Sequence, residues 1–180
     1  SAASDVYKRQ LEANPSLTYR DVQHVLVQSA RTNDASDNDW VTNGGGHDVN
    51  HKYGHGAIDA GLAVHIARNW TNVNPEYNWS TGEIDISQSI PDNTANGLSD
   101  SVTVDAGLLV ESVEVRFDAD HTYRGDMEIT LTSPDGTESR LAEKHEDNNN
   151  NFNEWVFSSM LHWDESSDGV WTLEVNDRGN

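Results

Sequence analysis

Three short runs alternate strictly between apolar and polar residues, and this pattern constrains the chain more than any other. Val113, Val115 and Phe117 alternate with Glu114 and Arg116. Met127, Ile129 and Leu131 alternate with Glu128, Thr130 and Thr132, and Trp171, Leu173 and Val175 alternate with Thr172, Glu174 and Asn176. Successive side chains of a strand point to opposite faces, so each run predicts a strand with one buried and one wet face. Turn-forming stretches separate them, Ser133-Pro134-Asp135-Gly136 after the second run and Ser167-Asp168-Gly169 before the third. Short strands at this spacing predict a β-sandwich or barrel over the second half of the chain.

The first half follows a different period. Leu17, Val22, Val25, Leu26 and Ala30 form a helical stripe, with Thr18 placed to cap it and Asp21 placed to complete an acidic capping box. Asp59 can cap a second helix whose face of Ala60, Ala63, Val64 and Ala67 suits close packing. A polar, glycine-rich loop from Thr32 to Gly56 joins the two.

Charge divides the chain at the same place. Residues 1–82 hold nine acids and six bases, a net charge of −3; residues 83–180 hold 22 acids and five bases, a net charge of −17. Two units are therefore expected, joined in the polar stretch Asn69 to Gly82. The total of −20 repels phosphate, which excludes nucleic acid as a partner and disfavours anionic membranes. Only 34% of residues are hydrophobic, which with this charge points toward disorder, but six Trp, five Tyr and three Phe point to a folded core. With no cysteine, disulfides and thiolate metal sites are excluded. No apolar run is long enough to span a membrane, and no apolar segment of the signal-peptide kind follows Ser1.

Candidate chemistry is sparse. His47, His51 and His55 recur every four residues, a metal-ligand spacing on a helix, but Gly44, Gly45, Gly46, Gly54 and Gly56 interrupt any helix there, so a solvated loop is expected. Asp118, Asp120 and Asp126 cluster about a turn that also holds His121 and Arg124. Hard carboxylate oxygens of this kind suit calcium, although the spacing is not that of an EF-hand; the competing reading is an Asp-rich loop pairing with Arg124 or capping amides. The oxygen-rich stretch Glu146 to Asn151 reads as a polar loop. Arg124-Gly125-Asp126 abuts an apolar strand and reads as a structural turn. Asn69-Trp70-Thr71 and Asn78-Trp79-Ser80 are formal glycosylation acceptors, relevant only in a glycosylating source. Asp59 and His65 lie six apart on a helix, on different faces, and no G-x-S-x-G or G-T-S is present, so a serine triad cannot be assembled.

Several words in the chain, in order, resemble the kexin/furin branch of subtilisin-like serine proteases. Leu11-Glu12-Ala13-Asn14-Pro15, followed by Leu17 to His24, is similar to a helix of that catalytic domain, and Tyr53 to Ala60 resembles the Y-G-x-G-x-x-D-A segment that closes it. The second half resembles the P domain (Homo B domain) that follows, through His121 to Asp126, Leu131 to Thr137, Phe152 to Phe157 and Gly169 to Leu173. The fold implied is mostly β: a jelly-roll-like β-sandwich preceded by a small helical remnant of an α/β subtilisin-like catalytic domain. Residues 11–78 would be the catalytic-domain part and 83–180 a P domain lacking one or two final strands, which would leave an exposed sheet edge.

The resemblance also implies function. The parent would be a secreted, extracellular, calcium-dependent serine endopeptidase acting on proteins or peptides. Its P domain would support the catalytic domain of the same chain. The family's other catalytic residues would lie upstream. Ser1-Ala2-Ala3 echoes the family's nucleophile motif, making Ser1 the one catalytic candidate, but its distance to Leu11 is several residues too short. Polar residues Asp5 to Gln10 also stand where an apolar helix is expected, so residues 1–10 are expected to be foreign to the fold and the fragment itself inactive. The alternative is a non-enzymatic jelly-roll module binding calcium or carbohydrate, with Trp155, Trp163 and Trp171 available to stack on sugars and Trp171 placed by its strand phase in the core. The helices carrying Leu11 to Pro15 and Tyr53 to Ala60 argue against an isolated module.

Overall fold

The computed structural model describes residues 2–94 and 96–179. It divides into two compact units, one of residues 1–42 and 47–78, the other of residues 43–46 and 79–180.

Unit 1 is built on three helices, α1 (Ala2–Ala13), α2 (Tyr19–Ser29) and α3 (Ala60–Ala67), with short antiparallel ladders between β1 (Ala30–Arg31) and β4 (Ala57–Ile58) and between β2 (Val41–Thr42) and β3 (Asp48–Val49). The cap on α2 is the one its sequence predicts. Thr18 Oγ1 accepts from the Asp21 amide at 3.2 Å, and Asp21 Oδ2 accepts from the Thr18 amide at 2.7 Å. Asp59 caps α3 by accepting from Leu62 N at 2.8 Å. Both α1 and α2 pack on α3, where Ala63 and Ala67 are fully buried and let the helices approach closely. Val6, Leu17 and Val25 complete the core, flanked by Val22, Leu26, Ile66 and Trp70.

Most of the segment expected to be foreign to the fold lies in helix α1, from Ala2 onward. Val6 and Gln10, four residues apart, share one face of α1 and are both buried. The polar character of the segment leaves a defect: Gln10 is 0% exposed, and neither amide atom of its side chain has a hydrogen-bond partner. A buried, unpartnered polar group costs on the order of 1–3 kcal/mol. Gln10→Leu should therefore raise the melting temperature of unit 1 by several degrees. An unchanged or lowered melting temperature would contradict this account of Gln10.

Unit 2 is a β-sandwich. One sheet has four antiparallel strands in the order β5 (Leu98–Val104), β10 (Gly169–Asp177), β7 (Met127–Thr132) and β8 (Glu138–Ala142); the other pairs β6 (Val113–Ala119) with β9 (Phe152–Ser159). The strands predicted from alternation are β6, β7 and β10. Along β7, Met127, Ile129 and Leu131 are buried while Glu128, Thr130 and Thr132 are half-buried. The core between the sheets forms two patches. Val104, Leu131 and Trp171 meet Val113 and Val115 in one, and Met127, Ile129 and Val175 meet Phe152, Phe117 and Phe157 in the other. Each fully buried large apolar side chain contributes roughly 1.5–3 kcal/mol to such a core.

Candidate functional site

The turn Ser133-Pro134-Asp135-Gly136 joins β7 to β8, and the stretch from Leu161 to Asp168 leads into β10. Between them lies a buried polar centre on Glu165, which is 0% exposed. Its Oε1 accepts from Gly44 N at 2.9 Å and from the Thr137 hydroxyl, and its Oε2 faces His162 Nδ1 at 3.2 Å. Burial works against ionisation of Glu165, but hydrogen bonds from His162, Thr137, Ser133 and Gly44 outweigh it and bring the carboxyl pKa down to about 2. A carboxylate so fully satisfied is a poor proton acceptor near neutral pH, so this centre is structural rather than catalytic.

The segment 43–46 is part of the same construction. Asn43 Nδ2 donates to the carbonyls of Leu161 and Trp163, each at 2.9 Å. Glycine is required beside it, because a Cβ on Gly45 would lie 2.3 Å from the Trp163 carbonyl oxygen. His162 and Trp171 meet edge to face with ring centroids 5.0 Å apart. Trp171 donates through Nε1 to the Ser167 carbonyl at 2.8 Å. Sequence reasoning did not single out Glu165 or His162. An isolated Glu and His three residues apart carry no period, and only the fold brings Thr137 and Gly44 to them.

The aspartates considered for calcium do not converge. Asp118 on β6 accepts from Glu154 N at 2.9 Å, where β9 is irregular and Glu154 has a left-handed φ of 46°. Asp120 is exposed beyond the strand end. Asp126 closes a 3₁₀ turn, Arg124–Asp126, and lies 3.6 Å from Lys144 Nζ. Among the described residues, no group of three or more His, Asp or Glu is placed to hold a metal ion. The three carboxylates thus go to backbone capping, solvent and ion pairing. His47 and His55 meet edge to face with centroids 6.0 Å apart, also without a metal-holding group. Ser1, the catalytic candidate, lies outside the described residues.

The Arg124-Gly125-Asp126 tripeptide is a structural turn. His145 N donates to the Gly125 carbonyl at 2.8 Å and Gly125 N to the Asp147 carbonyl at 3.1 Å. A Cβ on Gly125 would come within 2.5 Å of the His145 carbonyl oxygen, so only glycine allows this approach. Arg124 Nε pairs with Asp147 at 2.7 Å. Hydrogen bonds from the Asn149 amide and then from Arg124 hold the Asp147 carboxyl at a pKa of about 2, against a smaller effect of burial. His121 faces Asp177 through Nε2 at 3.0 Å and the Tyr123 carbonyl through Nδ1 at 2.9 Å. Of the three tryptophans considered for sugar stacking, Trp163 and Trp171 are buried in the core, and Trp155 is exposed.

A four-stranded antiparallel sheet packed on the β6–β9 pair defines unit 2 as a β-sandwich. Residues 110–180 match the family described as the proprotein convertase P-domain. Human furin is 38% identical over 182 residues, covering 96% of this chain and 22% of furin. Human proprotein convertase subtilisin/kexin type 4 is 38% identical over 176 residues, covering 94% of this chain and 23% of that protein. The crystal structure of a serine protease of Aeromonas sobria superposes with a TM-score of 0.88 at 26% identity, covering 94% of this chain and 35% of that one. The same protease in complex with its chaperone ORF2 gives 0.86 at 25%. The chain is thus similar to proteases of the kexin/furin branch, and the match to the P-domain family lies over residues 110–180. It spans about a fifth of the length of the curated relatives it matches. No helix among the described residues is long and apolar enough to cross a membrane.

Proposed function

We propose that this chain is part of a secreted, calcium-dependent serine endopeptidase of the kexin/furin kind. Unit 2 would act as the P domain that stabilises the catalytic domain of the same protein, and the substrates would be proteins or peptides. One observation carries this reading: the 38% identity to furin runs through 96% of the chain, so it includes the helices of unit 1 as well as the sandwich. A free-standing jelly-roll binding module would account for unit 2 and leave the match over unit 1 unexplained. Calcium enters as a cofactor of the whole protease.

The test uses both the chain and the longer gene product that contains it. The longer protein is expected to cleave peptides after basic residues and to lose that activity in EDTA. The 180-residue chain alone is expected to give no labelling with a fluorophosphonate probe. A longer product that cleaves no peptide would overturn the protease reading. Stoichiometric labelling at Ser1 would overturn the inactivity of this chain.

A further inference from the structure

Unit 2 carries a pocket of about 270 Å³ with an aromatic wall and a polar rim. Trp155, 42% exposed, and Phe157 form the wall, with ring centroids 6.3 Å apart. Arg124, Glu143, His145 and Asp147 form the rim. The Arg124 guanidinium lies 5.0 Å from the Trp155 ring centroid and pairs through Nε with Asp147. His145 turns Nδ1 to the Glu143 carbonyl at 2.8 Å, which leaves Nε2 as the second polar atom of its ring.

Charge narrows the ligand. A cation would meet Arg124, already seated on the tryptophan. An anion would meet Glu143 and Asp147 within a region of net charge −17. The occupant is therefore neutral. A wholly apolar or aromatic occupant would bury the rim donors and acceptors without partners, at a cost. A ligand with an apolar face and a circumference of hydroxyls matches both parts. Its C–H face can pack on the part of the aromatic wall that Arg124 leaves open, and its hydroxyls can both donate to carboxylates and accept from Arg124. We propose that the Trp155 pocket is a binding subsite for a neutral pyranose sugar, of the size of one ring.

The test is titration of the ¹⁵N-labelled chain with four neutral probes, the methyl glycosides of glucose, mannose, galactose and N-acetylglucosamine, and with choline and glucuronate as charged comparators. At least one is expected to shift the Trp155 indole N–H resonance saturably, with a Kd on the order of 1 mM, as suits a single small subsite. Trp155→Ala is expected to weaken that binding at least tenfold, and Glu143→Gln several-fold. Trp79→Ala, which alters an exposed tryptophan outside the pocket, should leave it unchanged. If Trp155→Ala fails to fold, Glu143→Gln decides. The proposal is overturned if no sugar saturates by about 50 mM. It is also overturned if the shift survives in the folded Trp155→Ala or Glu143→Gln variant at full affinity, or if choline or glucuronate binds at Trp155 in preference to every neutral sugar.

Discussion

Glu165→Ala is expected to destabilise unit 2 by about 3–5 kcal/mol, because it strands several buried polar groups at once and leaves a void. The loss comes from what the carboxylate leaves behind. His162 is 0% exposed and would lose its Nδ1 partner, the Thr137 hydroxyl and Gly44 N–H would lose their acceptor, and the volume of the buried carboxylate would be left empty. Glu165→Gln keeps the volume and one acceptor and should cost roughly half as much, which separates charge from shape. Urea denaturation followed by hydrogen exchange of the β10 amides reads the effect in unit 2. A loss below about 1 kcal/mol for the alanine variant would show that the centre is not a stability hub.

The same group makes a pH prediction. The folded carboxyl titrates near 2, below its unfolded value near 4.5, so ionised Glu165 favours the folded state. That stabilisation is fully present above about pH 4.5 and is lost as the pH falls toward 2. Glu165→Gln should flatten the acid limb of the stability curve. An unaltered acid limb would contradict the assignment.

Asp21→Ala is the counterpart in unit 1, with an expected loss of about 3–4 kcal/mol. Asp21 is 0% exposed, and one carboxylate serves four donors: Thr18 N at 2.7 Å, Thr18 Oγ1 at 2.6 Å, Trp70 Nε1 at 2.9 Å and Val73 N at 2.8 Å. Burial opposes its charge, but the hydrogen bonds from Thr18, Val73 and Trp70 prevail, and its pKa is lowered to about 2. Its stabilisation is therefore also present above about pH 4 and fades as the pH falls toward 2. The Trp70 indole N–H is the local reporter: it should exchange faster in Asp21→Ala and, less so, in Asp21→Asn. Equal exchange rates in wild type and alanine variant would sink the idea that Asp21 holds the segment after α3.

These two carboxylates show what each level of description carries. Half of the Asp21 arrangement was legible in the sequence, because a capping box is a contact between residues three apart and helical geometry alone brings them together. The other half was not, since Trp70 and Val73 lie 49 and 52 positions away and reach Asp21 only when α3 folds back beside α2. The three alternating strands were likewise legible, because the period of a strand is a local property. Their partners were not: β10 pairs with both β5 and β7, and sequence order does not set that choice.

Sites separate along the same line. Asp118, Asp120 and Asp126 look like a ligand cluster along the chain, but β6 directs Asp118 to the Glu154 amide and the following turn carries Asp126 to Lys144. Residues 1–10 look too polar to join a core, but one helical face of Val6 and Gln10 is enough to pack. By itself the sequence determined the two units, the local elements, their caps and the kinship with kexin/furin proteases, because each rests on spacing between near neighbours or on words read in order. Only the tertiary structure decided which carboxylates are buried hubs, that the candidate calcium ligands stay apart, and that Arg124 and Trp155 face one pocket. Those outcomes depend on contacts across tens of residues, where burial and competing hydrogen bonds, rather than period, set the energy.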